Sequence, residues 1–117
     1  MKKILILEND VDTLELVELL FEENGFSIHE SRKKIPIEEI SELHPDVILL
    51  DYLLDDKYGS DICLELKSNP ATNHIPIILF SARNNVEQIA TACKADCFIA
   101  KPFDIGYLVQ KVKELLL

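Results

Sequence analysis

Three nearly unbroken apolar runs constrain this chain more than any other feature: Ile4–Leu7 ("ILIL"), Asp46–Leu50 ("DVILL") and Ile75–Phe80 ("IPIILF"). Each stops abruptly at polar residues, namely Glu8-Asn9-Asp10, Asp51 and Ser81. A strand with one wet face alternates in polarity. A strand that is apolar throughout is buried on both faces, which requires a parallel sheet with helices above and below it. A shorter run, Cys97–Ala100, ends at Lys101-Pro102. Phe26–Ser31 alternates Phe26 and Ile28 with polar residues, which suits an edge strand.

Helical periodicity fills the intervals. Residues 12–24 carry Leu14, Val17, Leu20 and Phe21 at helical spacing. Asp10 or Asp12 caps that helix, and Asn24-Gly25 ends it. Residues 36–43 form a short helix with Pro36 as its first residue. Ser60–Ser68 turns Ile62, Cys63 and Leu66 inward, and Asn69-Pro70 breaks it. Residues 86–94 put Val86, Ile89, Ala90 and Cys93 on one face. Asp104 caps a last helix with Ile105, Leu108, Val109, Val112 and Leu115 facing in. Five strands and five helices alternate strictly, and right-handed crossovers leave few topologies for them. The 117 residues make one domain, 1–117, large enough to bury a core without staples.

Charge and composition exclude several functions. A net charge of −9 is the wrong sign for a nucleic-acid binder and suits cations or basic partner surfaces. No apolar run approaches the ~18–20 residues of a membrane span. The apolar part of the N-terminus is too short for a signal peptide. The expected compartment is therefore the cytoplasm, with no membrane partner. Cys63, Cys93 and Cys97 have no metal-type spacing and read as buried or half-buried free thiols. His29, His44 and His74 are scattered and receive no catalytic role.

In an open parallel sheet, ligands bind outside the carboxyl ends of the strands. The first strand ends in Glu8-Asn9-Asp10, the third in Asp51, the fourth in Ser81, the fifth in Lys101-Pro102, and the second in the less informative Ser31-Arg32. An order 2-1-3-4-5 would set four of these ends in one row, so that acids, one hydroxyl and one ammonium converge. That set suits phosphoryl transfer to a carboxylate, which needs a divalent cation and a fixed cation to offset the entering charge. Mg²⁺ takes oxygen ligands and commonly uses one or two carboxylates plus phosphate oxygens. A hydroxyl and an ammonium take the remaining phosphoryl oxygens.

The motifs "ILILENDVD", "DVILLDYLLDDKYG", "IPIILFSA" and "FIAKPFD" occur in order, each at a strand end. Together they resemble the receiver domain of two-component response regulators, over roughly residues 3–116. The resemblance implies a flavodoxin-like α/β fold, a five-stranded parallel sheet in the order 2-1-3-4-5 with five helices on both faces. It implies Asp51 as phosphoacceptor. Glu8, Asn9, Asp51 and the backbone carbonyl of Leu53 would hold Mg²⁺ or Mn²⁺. Ser81 matches the switch hydroxyl and Lys101 the lysine that pairs with the phosphoryl group. Lys101-Pro102 matches the cis peptide. Phe98 matches the aromatic switch, beside its reading from composition as a core residue. Leu53 and Arg83 match the positions that tune phosphoryl lifetime.

The implied partners are a sensor histidine kinase or phosphotransfer protein and an unidentified downstream protein, with no direct nucleic-acid contact. The implied state is a monomer or a phosphorylation-dependent dimer. The chain is expected to be a stand-alone receiver and not an enzyme beyond its own phosphotransfer and autodephosphorylation. It departs from the family at three places: Asn9 replaces the usual Asp, Phe98 lacks the hydroxyl of a switch Tyr, and Asp55 sits where Pro is frequent. Gly59 keeps the family's position eight residues after Asp51. Asn9 motivates an alternative, a receiver-fold interaction module that works without phosphorylation. A phosphatase with an aspartyl-phosphate intermediate ranks below both, because Leu53 stands where such enzymes place a second Asp.

Overall fold

The computed structural model describes residues 1–117. Five strands form the main sheet: β1 (Lys3–Leu7), β2 (Ser27–Ser31), β3 (Val47–Asp51), β4 (Ile77–Ser81) and β5 (Cys97–Ala100). They pair in parallel in the order β2-β1-β3-β4-β5. The connecting helices are α1 (Val11–Glu23), α2 (Ile37–Leu43), α3 (Gly59–Ser68), α4 (Val86–Ala92) and α5 (Ile105–Leu115).

The apolar runs supply both faces of the sheet by simple alternation. Leu5, Leu7, Ile48, Leu50, Ile77 and Leu79 face one way and meet Ile40 of α2, Ile62 and Leu66 of α3, and Ala90 of α4. Ile4, Ile6, Val47, Leu49, Ile78 and Phe80 face the other way and meet Leu14, Val17 and Phe21 of α1 with Leu108 and Val112 of α5. β2 is an edge strand with no fully buried residue, as its alternation predicts. Cys63 and Cys93 are buried free thiols and Cys97 is half-buried.

Several boundaries differ from the sequence reading, each for a local reason. The strand expected from Ile75 starts at Ile77. Pro76 has no N–H to donate, and the Ile75 N–H turns back to the Thr72 carbonyl at 3.0 Å. Pro36 is the N-cap of α2 rather than its first residue. The helix expected over 86–94 stops at Ala92, and Lys94 takes a left-handed φ of 65°. Ile105 does not face in: it is exposed in the first turn of α5, where Asp104 caps by accepting from the Tyr107 N–H. A small antiparallel ladder, Leu53–Leu54 with Lys57–Tyr58, follows β3, and its two-residue strands are too short to leave a sequence pattern.

Gly59 opens α3 directly against the end of β3. Its N–H donates to the Tyr52 carbonyl at 2.5 Å. A Cβ at Gly59 would overlap the Asp51 carbonyl oxygen, so only glycine lets the helix start this close to Asp51.

Candidate functional site

The chain turns to opposite sides after β1, so β2 and β3 flank it and the ends of β1, β3, β4 and β5 lie in one row. Register aligns them: Leu7 lies opposite Leu50, Asp51 opposite Phe80, and Ser81 opposite Ala100. Glu8, Asp51, Ser81 and Lys101 therefore emerge along the same edge.

Their contacts form one connected group. The Lys101 ammonium donates to Glu8 Oε1 at 2.6 Å and lies 3.5 Å from Asp51 Oδ1. Glu8 is only 1% exposed, and its Oε2 accepts from the Asp10 N–H at 3.2 Å. Asp51 is 8% exposed, and its Oδ1 accepts from the Leu53 N–H at 3.4 Å. Ser81 is buried, and its Oγ accepts from the Arg83 N–H at 3.0 Å. Two buried carboxylates thus share one ammonium. Burial, then the hydrogen bond and charge of Glu8, push the Asp51 carboxyl up to about 7, against the opposing pull of Lys101 and the Leu53 N–H.

Asn9 is half-buried and lines the cleft above Asp51. Asp10 lines it too, but its carboxylate caps α1, accepting from the Thr13 N–H at 3.0 Å and the Thr13 hydroxyl at 2.5 Å. Those two bonds hold its pKa below the ordinary value. Of the two candidate caps, Asp10 is the one used. Two buried carboxylates and an amide oxygen are hard donors that fit Mg²⁺. No three His, Cys, Asp or Glu side chains gather as a metal-type cluster, and the residue between Glu8 and Asp10 is the neutral amide Asn9.

The cleft holds about 440 Å³ and is also lined by Tyr52, Leu53, Ser81, Ala82, Arg83 and Lys101. Tyr52 has no place in the sequence reading. The available signal was an aromatic directly after Asp51 with an arginine two residues past Ser81. Arg83 reaches the cleft with its guanidinium carbon 5.2 Å from the Tyr52 ring centroid. The Lys101-Pro102 peptide is cis. Pro102 lines an adjoining hollow with Thr13, Leu16 and Phe103. Phe98 does not reach the cleft: it is 36% exposed on the edge strand β5, which excludes the core reading. The largest hollow, about 660 Å³, lies between the β2–α2 link and the end of α3. Its Lys34 and Glu65 are already paired with each other at 2.9 Å, whereas in the smaller cleft two buried carboxylates share one ammonium.

Residues 4–113 match the family described as "Response regulator receiver domain". The phosphate regulon transcriptional regulatory protein PhoB of Escherichia coli is 30% identical over 98% of this chain and 52% of its own length. The chain thus spans about half the length of this curated relative. The signal receiver domain of a signal transduction histidine kinase from Syntrophus aciditrophicus superposes with a TM-score of 0.90 at 30% identity, covering 99% of this chain and 90% of that one. The receiver domain of a sensor histidine kinase from Pseudomonas aeruginosa, described with magnesium coordinated in its active-site cleft, shares the fold. It has a TM-score of 0.86 at 19% identity, covering 98% of this chain and 97% of that one. The same four strand ends that gather the acids, the hydroxyl and the ammonium lie within the matched residues, and this chain belongs to the receiver domain family of two-component response regulators.

Proposed function

We propose that Asp51 accepts a phosphoryl group from a sensor histidine kinase or a phosphotransfer protein, and that the chain signals by the resulting change of charge. The observation that carries this reading is the pair of buried carboxylates, Glu8 and Asp51, around one ammonium at the open end of the sheet. An Asp51 oxygen forms the new P–O bond as the P–N bond of a donor phosphohistidine breaks, and the histidine leaves with the electron pair. Lys101 then turns from its two carboxylates to a phosphoryl oxygen, and the Ser81 hydroxyl donates to another. Glu8, Asn9, Asp51 and the Leu53 carbonyl are the groups to hold Mg²⁺ or Mn²⁺, which supplies positive charge to offset the entering phosphoryl oxygens.

The consequence reaches beyond the cleft through Ser81. To face Asp51, the Ser81 hydroxyl gives up its bond to the Arg83 N–H, and the β4–α4 loop shifts with it. The surface of α4, β5 and α5, where Phe98 and Tyr107 are exposed, is where a downstream protein would read that shift. The test is mass spectrometry with a small-molecule phosphodonor and Mg²⁺. One phosphoryl group should add to the wild type and none to Asp51→Asn. No gain in the wild type, or the same gain in the variant, defeats the reading.

One observation favours a second reading, an interaction module that works without phosphorylation: Asn9 removes a charge from the metal set, and Lys101 already neutralises part of what remains. Amide shifts near Asp51 that stay unchanged at millimolar Mg²⁺ would favour the module.

A further inference from the structure

Arg83 lines the cleft beside Asp51, yet its guanidinium pairs with no carboxylate. What it meets is the face of Tyr52, at 5.2 Å from ring centroid to guanidinium carbon, within the range of a cation–π contact. The Tyr58 ring braces Tyr52, with centroids 5.5 Å apart and planes tilted by 41°. The backbone of Tyr52 is fixed from both sides. Its N–H donates to the Phe80 carbonyl at 2.8 Å and its carbonyl accepts from the Gly59 N–H at 2.5 Å. A stiff aromatic platform next to Asp51 thus carries a long, otherwise exposed cation on an exposed loop.

A free surface arginine loses rotamer freedom when it grips an anion, and a group that holds it in place beforehand lowers that cost. Guanidinium also has the planar fork that suits phosphoryl oxygens. We propose that Tyr52 is a positioning residue, holding the Arg83 guanidinium at the mouth of the cleft as a second cation, after Lys101, for a phosphoryl-type oxyanion. The inference rests on the reading of the cleft as a phosphoryl site. Tyr52 acts through its ring face and not its hydroxyl, so phenylalanine should serve as well.

The experiment is a titration with beryllofluoride and Mg²⁺, followed by amide shifts around Asp51. Tyr52→Phe should bind like the wild type. Tyr52→Leu should bind about two- to fivefold more weakly, the range set by an exposed cation–π contact. Arg83→Ala should lose at least as much, and the double variant should be no weaker than Arg83→Ala alone. Unchanged binding in Tyr52→Leu, or losses that add in the double variant, overturns the positioning role. If Tyr52→Leu does not fold, Arg83→Ala decides: wild-type affinity there overturns the proposal. A wild type that does not respond at all defeats the phosphoryl reading, and the proposed seat falls with it. The contact itself is read separately in the free protein. The Arg83 δ-protons should be ring-current shifted in the wild type and lose that shift in Tyr52→Leu; unshifted protons refute the contact.

Discussion

The two edges of the sheet use the same residue types to opposite effect. At the amino edge each acid has its own ammonium and a backbone N–H. Asp46 accepts from the Lys3 N–H at 2.7 Å and lies 3.9 Å from the Lys2 ammonium. Asp96 accepts from the Ile77 N–H at 2.8 Å and pairs with Lys67 at 2.7 Å. Lys67 also donates to the Ile75 carbonyl at 2.8 Å. At the carboxyl edge two acids share Lys101, and both are buried, whereas Asp96 is 38% exposed. The amino edge is saturated and ties strands to the loops that precede them. The carboxyl edge is short of positive charge by construction, and that deficit is what the proposed cation and phosphoryl group would use.

The largest expected effect separates the edges by removing their lysines. Lys101→Met leaves two buried carboxylates facing each other, and breaking a buried pair costs about 3 kcal/mol. Lys67→Met leaves Asp96 bonded to the Ile77 N–H and partly in water, so about 1 kcal/mol or less is lost. Urea unfolding at pH 8 with a chelator measures both. Equal losses would mean that the two edges do not differ in the way the pairing indicates.

Next in size is the response to pH. The Asp51 carboxyl is raised in the folded chain to about 7 from an ordinary 3.8. A raised folded value means that the folded state binds the proton more tightly. The stability it contributes is present below about pH 4 and is lost as pH rises toward 7. Asp51→Asn is neutral throughout and should escape that loss. At pH 8 without metal it should be more stable than the wild type by about 2 kcal/mol, after allowance for the opposing charge of Lys101 and for solvent screening. At pH 4 the two should coincide. Asp46→Asn, at the saturated edge, should gain nothing at pH 8. A parallel pair of stability–pH curves for the wild type and Asp51→Asn would refute the frustrated-edge account.

Sequence exposed the edges before it exposed their difference. Runs buried on both faces cannot hide their strands, and where such a run meets Glu8, Asp51, Ser81 or Lys101 the strand end announces itself. The capping of α5 by Asp104 was equally legible, because a cap is a local bond across three residues, and that of α1 was narrowed to Asp10 or Asp12. Pairing was not. That Lys101 lies closer to Glu8 than to Asp51 depends on side chains 93 and 50 positions apart, and no pattern encodes it. The outward turn of Ile105 and the exposure of Phe98 are decided by how the end of α5 and the edge of β5 meet solvent, which periodicity does not register. Tyr52 was missed because its partner, Arg83, comes from a different loop, and two residues at the ends of separate strands carry no joint pattern.

The smallest expected effect bears on the residue that sets the deficit. In the proposed metal set Asn9 stands where a third acid would complete it, so Asn9→Asp makes the carboxyl edge still less like the amino edge. Two consequences follow with opposite signs. With Mg²⁺ present, the added charge should tighten binding about tenfold, or ~1.4 kcal/mol. In chelator, the same charge adds a third acid to the two that share Lys101, pushes the Asp51 carboxyl further up, and should lower stability at pH 8. Mg²⁺ titration followed by amide shifts reads the first, and urea unfolding with chelator reads the second. Tighter binding without destabilisation would mean that the new carboxylate meets the metal but not Asp51. Destabilisation without tighter binding would place it against Asp51 and outside the coordination sphere. Both together would establish that metal affinity and the repulsion felt in chelator come from one count of charges, held one lower in this chain by a neutral amide.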